Sequence, residues 1–139
     1  MIVLDTHALV WWVSDDRQLS ARARKVIEKE LTGDAQLLVS AISAWEIAML
    51  VARGRLALTM DIDDWLETVA SIEGIAFVPV DTDLAVQSVR LPGNFHQDPA
   101  DRMIVALARH HAAPLVTADE KIRAYKHVKT VLLNFDWWC

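Results

Sequence analysis

Short apolar runs recur along the chain: Ile2-Val3-Leu4, Gln36 to Ser40, Ala76 to Val80, Pro114 to Thr117 and Val128 to Leu132. Each is too short for a helix and lacks the polar alternation of a strand with one wet face, so each reads as a strand buried on both sides. Helical patterns fill the gaps. They run over Thr6 to Val13, Ala21 to Leu31 behind Ser20, Ser43 to about Arg53, Asp61 or Asp63 to about Ile72, Thr82 to Val89, Asp98-Pro99 to about His111, and Asp119 to Ala124. Ser20 is a good N-cap, Ser43-Ala44-Trp45-Glu46 has the form of a capping box, and Asp98-Pro99 is a cap followed by proline at the first helical position. Strands alternating with helices build βαβ units, which predicts an α/β fold with an about five-stranded parallel sheet and helices on both faces. No linker, repeat or low-complexity stretch interrupts the pattern, so residues 1–139 are expected to form a single domain.

Composition narrows the class. Hydrophobic residues make up 53% and charged residues 24%, a globular balance. No apolar run approaches a membrane span and no leader-like segment opens the chain, so a cytoplasmic protein with no membrane partner is expected. The one cysteine, Cys139, excludes an internal disulfide and a Cys-based zinc site. The net charge of -5 repels nucleic acid, so such a partner must be met by local basic patches. Arg22, Arg24, Lys25 and Lys29 form one cluster and Lys121, Arg123, Lys126 and Lys129 another; solvated helix faces explain either alone.

Acids fall where a parallel sheet binds ligands, beyond the carboxyl ends of its strands. Asp5 follows the first strand directly, Asp119 lies two residues past the fourth, and Glu46 is early in the helix after the second. Asp98 and Asp101 open the helix that leads into the fourth strand. Capping explains Asp98, Asp101, Asp119 and, through its capping box, Glu46 one at a time. Asp5 flanks a buried strand where no cap is evident. Together these carboxylates would repel strongly, by about 4 kcal/mol per pair at 4 Å and an effective dielectric of about 20. They call for a cation, and oxygen donors without cysteine or a spaced histidine pair suit Mg²⁺ or Mn²⁺.

Four stretches, VLDTHALVWW, VSAISAWEIAML, HQDPADRMIVALAR and LVTADEKIRAY, occur in this order from near residue 2 to near residue 125. In them the chain resembles the PIN-domain ribonucleases, and most closely the VapC-type toxins of bacterial toxin–antitoxin pairs. The resemblance implies a Mg²⁺- or Mn²⁺-dependent endoribonuclease that hydrolyses RNA phosphodiesters by metal-activated water, leaving a 5′-phosphate and a 3′-hydroxyl. It implies a homodimer and a VapB-like antitoxin whose tail covers the acidic site. Carried over by position, the catalytic acids are Asp5, Glu46, Asp98, Asp101 and Asp119, with Asp5, Glu46, Asp101 and Asp119 as metal ligands and Glu46 suited to orienting the attacking water. Thr6, Ser40 and Thr117 match small hydroxyl residues that support the acids. Arg102 suits a phosphate contact or a salt bridge, and His96 an RNA contact.

Other residues admit blander readings. His7 points near the site or into solvent, and His110-His111 suit a helix C-terminus. Trp11, Trp12, Trp45, Trp137 and Trp138 divide between core, base stacking and a partner interface. A haloacid-dehalogenase-like phosphatase would place a second aspartate where His7 stands. A receiver domain would need an acidic pair that is missing, and a dinucleotide-binding fold a glycine-rich turn after the first strand. The remaining alternative is a catalytically silent PIN fold that binds RNA or protein.

Overall fold

Buried strands and amphipathic helices assemble as the alternation requires. In this computed structural model, which describes residues 1–132, the order is β1 (Ile2–Leu4), α1 (Thr6–Val13), α2 (Ala21–Thr32), β2 (Leu37–Ser40), α3 (Ala41–Ala52), α4 (Ile62–Ala70), β3 (Ile75–Val78), α5 (Thr82–Val89), α6 (Pro99–His110), β4 (Leu115–Thr117), α7 (Glu120–Ala124) and β5 (Thr130–Leu132). The sheet has the order β3-β2-β1-β4-β5, and every neighbouring pair is parallel. Trp137, Trp138 and Cys139 lie outside the described residues.

The period of two along each strand sorts the core into two layers. Ile2 and Leu4 join Leu9, Ile27, Ile47 and Trp65, from α1 to α4, on one face. Val3 joins Leu84, Ile104, Leu107 and Ile122, from α5 to α7, on the other. Helices therefore cover both faces, as expected. β1 sits at the centre with β2 and β4 as neighbours. The chain builds outward from β1 on one side through β2 and β3, then on the other through β4 and β5. The strand order reverses between β1 and β4, where an open parallel sheet leaves a crevice at its carboxyl edge.

Several boundaries differ from the sequence reading. β3 begins at Ile75 and ends at Val78, and α3 starts at Ala41, two residues before the proposed cap Ser43. Ser40 is extended at ψ 141° and its hydroxyl accepts the N–H of Ile42 at 3.2 Å, so the helix is already capped. Ser43 is fully buried inside the first turn. Glu46, six residues past the cap, is thus no member of a capping box.

Gly74 has a φ of +97°, and a Cβ there would lie 2.8 Å from Leu31 Cδ2; Gly54 has a φ of +69° with nothing within 4 Å. Gly54→Ala is expected to cost about 1 kcal/mol from backbone strain alone, and Gly74→Ala roughly twice that because Leu31 must also move. Urea unfolding of the two variants checks the ranking.

Candidate functional site

At the β1–β4 crevice the chain ends two strands in carboxylates. Asp5 N donates to Val116 O, which carries β1 one residue past its end beside β4. The Asp5 side chain is then the N-cap of α1, accepting from Thr6 N at 2.8 Å through Oδ1. A capping role is therefore present after all, and was missed because the strand passes into the helix with no intervening turn. Asp5 Oδ2 accepts from the Thr117 hydroxyl at 2.7 Å, and Thr117 Oγ1 in turn accepts Asp119 N at 3.0 Å. Asp119 caps α7 through Oδ1, at 2.8 Å from Lys121 N and 3.0 Å from Ile122 N. Asp98 caps α6, with Oδ1 3.0 Å from Asp101 N.

A second bridge brings in α3. Thr6 Oγ1 donates to Glu46 Oε1 at 2.6 Å and lies 2.8 Å from Ser43 Oγ, whose hydroxyl is free to donate to it. Thr6 thus links Asp5 to Glu46, as Thr117 links Asp5 to Asp119. Ser43 was read from the sequence as a helix cap and not as a site residue; its position three residues before Glu46, on the same helix face, is the signal that would have placed it here. Ser40 belongs elsewhere, since its hydroxyl caps α3.

Asp5, Thr6, His7, Trp11, Glu46, Asp98, Asp101, Ala118 and Asp119 together line a cleft of about 400 Å³. All five sequence-identified acids are among them. Burial raises the pKa of Asp5, although its bonds from Thr117 and Thr6 oppose the shift. Burial and the neighbouring Asp5 and Asp98 likewise raise Glu46 against the bond from Thr6. Asp101 is pushed up to about 7 by burial and then by the charges of Asp5, Asp98, Asp119 and Glu46. Such a cluster without a counter-charge resists ionisation.

A cation would remove that resistance. The donor atoms of Asp101 and Asp119 lie within 4.8 Å of each other, a spacing that one divalent ion can bridge. Five acids lining one cleft, three of them with raised pKa values, fit a hard divalent cation with oxygen ligands. Arg102 is held within the protein: its guanidinium nitrogens donate to backbone carbonyls of residues 88, 89, 95 and 96, and among the described residues it forms no salt bridge. His96 does reach the acids, with Nε2 3.1 Å from Asp101 Oδ2.

The tryptophans divide. Trp65 is core, Trp11 and Trp12 pack against the core from partly exposed positions, and Trp45 is 56% exposed on α3. His7 lies on the cleft rim, with its ring 5.7 Å from that of Trp11.

The PIN-domain family model matches residues 2–128. The chain belongs to the PIN-domain family. Across 130 residues, 94% of this PIN domain and 95% of the relative, it is 35% identical to Ribonuclease VapC22 of Mycobacterium tuberculosis (strain ATCC 25618 / H37Rv). Among solved structures it is similar to VapBC2 from Rickettsia felis bound to a DNA fragment from the promoter, with a TM-score of 0.70, 16% identity and coverage of 96% of this chain and 100% of that one. FitAcB from Neisseria gonorrhoeae matches with a TM-score of 0.66, 23% identity and full coverage of both chains, 100% and 100%. At these identities the structural likeness is one of fold. Among the described residues of this PIN domain, no helix is long and apolar enough to cross a membrane.

The raised Asp101 pKa has a measurable consequence for stability. The unfolded chain releases this proton near the ordinary aspartate value of 3.8 and the folded chain near 7, so the folded form holds the extra proton between them and loses stability as pH rises through that window. In chelator, the stability of Asp101→Asn minus that of the parent is expected to grow from pH 4 to pH 7.5, reaching about 1–3 kcal/mol. Added divalent cation should erase the difference at pH 7.5 by stabilising the parent. Thermal melts at a series of pH values check both.

Proposed function

We propose that this PIN domain is a metal-dependent endoribonuclease and the toxin of a VapBC-type toxin–antitoxin pair. The observation that carries the reading is the convergence of Asp5, Glu46, Asp101 and Asp119, from four separated stretches, on one cleft at the strand-order reversal. The 35% identity to a protein named as a ribonuclease, over nearly the whole of both chains, supports the substrate class.

Oxygen donors suit Mg²⁺ or Mn²⁺, which Asp5, Asp101 and Asp119 would hold with Glu46 beside them. When bound, such a cation lowers the pKa of a water and neutralises charge on a phosphodiester. The chain's own groups do the rest. Thr117 and Thr6 fix Asp5 by occupying one lone pair on each of its oxygens. Glu46, tethered through Oε1 by Thr6, keeps Oε2 free to orient the attacking water and take its proton. Asp119 keeps Oδ2 for the ion while Oδ1 caps α7. Asp98 adds negative charge at the mouth. No lysine or arginine lines the cleft, so attraction for RNA phosphate comes from the ion and from the basic clusters outside it.

Hydrolysis leaves a 5′-phosphate and a 3′-hydroxyl, and the RNA 2′-hydroxyl takes no part. The protein acts in the cytoplasm as a homodimer, and a VapB-like antitoxin silences it by laying its tail over the acids. Among the structures similar in fold are a toxin–antitoxin complex and a member of the VapBC family of toxin–antitoxin systems, which supports this partner.

Cleavage of RNA is expected with Mg²⁺ or Mn²⁺ and to stop in chelator. Asp5→Asn and Asp101→Asn should each lower the rate by about 100-fold or more, with fold retained because asparagine at 5 still caps α1 and asparagine at 101 removes a charge from the acid cluster. Activity untouched by either change would reject the site. A substrate with a single deoxy sugar at the cleaved position should be cut as before; its resistance would reject water as the nucleophile.

A further inference from the structure

Arg102 and His96 are arranged for a task other than touching RNA. Arg102 Nε donates to Ser88 O at 2.8 Å and Nη2 to Val89 O at 3.3 Å, at the end of α5. Nη1 donates to Phe95 O and to His96 O, at 3.0 Å each, on the far side of the intervening loop. One side chain on α6 thereby pins both flanks of residues 90–94. A guanidinium can do this because its donors spread in a rigid planar fork; an ammonium offers a single point.

At the end of that clamp stands the His96 imidazole. Its Nδ1 accepts the backbone N–H of Asp98 at 3.3 Å, a donor that precedes α6 and has no helical partner. A neutral imidazole that accepts at Nδ1 carries its proton on Nε2. That Nε2 is buried 3.1 Å from Asp101 Oδ2, off the line of a good hydrogen bond, and has no other partner. Its distance from Asp101 and Asp119 would suit a metal ligand. A ligating nitrogen must present a lone pair, however, and here the lone pair is on Nδ1 and turned toward Asp98.

We propose that Arg102 and His96 are positioning residues for the metal centre. Arg102 fixes the loop, the loop fixes the imidazole, and the imidazole edge, with Nε2 3.1 Å from Asp101 Oδ2, holds that carboxylate in place by close polar contact. The proposal rests on the reading that the acids bind a divalent cation. It goes beyond that reading by making His96 a neighbour that positions a ligand, neither a ligand itself nor an RNA contact.

The test is Mn²⁺ binding to RNA-free protein, read by electron paramagnetic resonance, with Mg²⁺ measured by competition. A glutamine amide nitrogen reaches the place of Nε2, whereas asparagine stops near Nδ1. His96→Asn is expected to bind Mn²⁺ about 10-fold more weakly and Mg²⁺ by the same factor, and His96→Gln to stay within about threefold of the parent. Arg102→Lys should match His96→Asn, and the double variant should be no weaker than either single. Electron spin echo modulation of bound Mn²⁺ should show no directly coordinated imidazole nitrogen.

Nitrogen coupling in the parent that disappears in His96→Gln would make His96 a ligand and overturn the proposal, as would unchanged affinity in His96→Asn. Additive losses would detach Arg102 from His96. Failure of Arg102→Lys to fold, read from its melt, would make Arg102 purely structural and strike it from the relay, while the two His96 variants decide the remainder. A parent that binds no Mn²⁺ would sink the metal reading and this proposal together, an outcome distinct from a parent that binds and variants that do not differ.

Discussion

Mutual repulsion among carboxylates is the constraint around which this fold is arranged. Donor atoms of Asp101 and Asp119 approach within 4.8 Å, where two full charges repel by about 3.5 kcal/mol at an effective dielectric of about 20. The chain offsets that repulsion by giving four of the five acids a local attachment. Asp5, Asp98 and Asp119 each commit an oxygen to a helix N-terminus, where orphan N–H groups and the helix dipole favour negative charge. Thr6 and Thr117 bind Glu46 and Asp5 as well. Local capping thus offsets part of a cost that arises only when distant segments come together.

That double use explains what could be read in advance. The strand and helix pattern was legible because a parallel sheet covered on both faces needs near-continuous apolar strands, and Leu37–Ser40 and Leu115–Thr117 supply them. The five acids were legible because their places after β1 and β4 and at the start of α6 coincide with the carboxyl edge. A capping role could not be separated from a site role at Asp119, and the structure explains why: the cap is made through Oδ1, on a side chain that also lines the cleft.

The misreadings share a cause. Ser43-Ala44-Trp45-Glu46 has the spacing of a capping box, but the helix begins earlier because Ser40 caps it, which turns Ser43 inward to Thr6 and Glu46 toward the cleft. Arg102 beside Asp101 invited an electrostatic role. Its partners are carbonyls 6 to 14 positions away, which side-chain pattern alone does not reveal. Pairings between a side chain and remote backbone leave little trace in residue type.

The Asp5–Thr117 bond joins residues separated by 112 positions. Asp5 is synthesised well before Thr117, and its outer oxygen has no such partner until β4 has been made and inserted beside β1. An emerging chain that has completed only β1 to β3 carries Asp5 and Glu46 without Asp101 or Asp119. For a protein whose substrate class includes the very molecules surrounding it during its own synthesis, the topology delays the assembled cleft until most of the chain has been made.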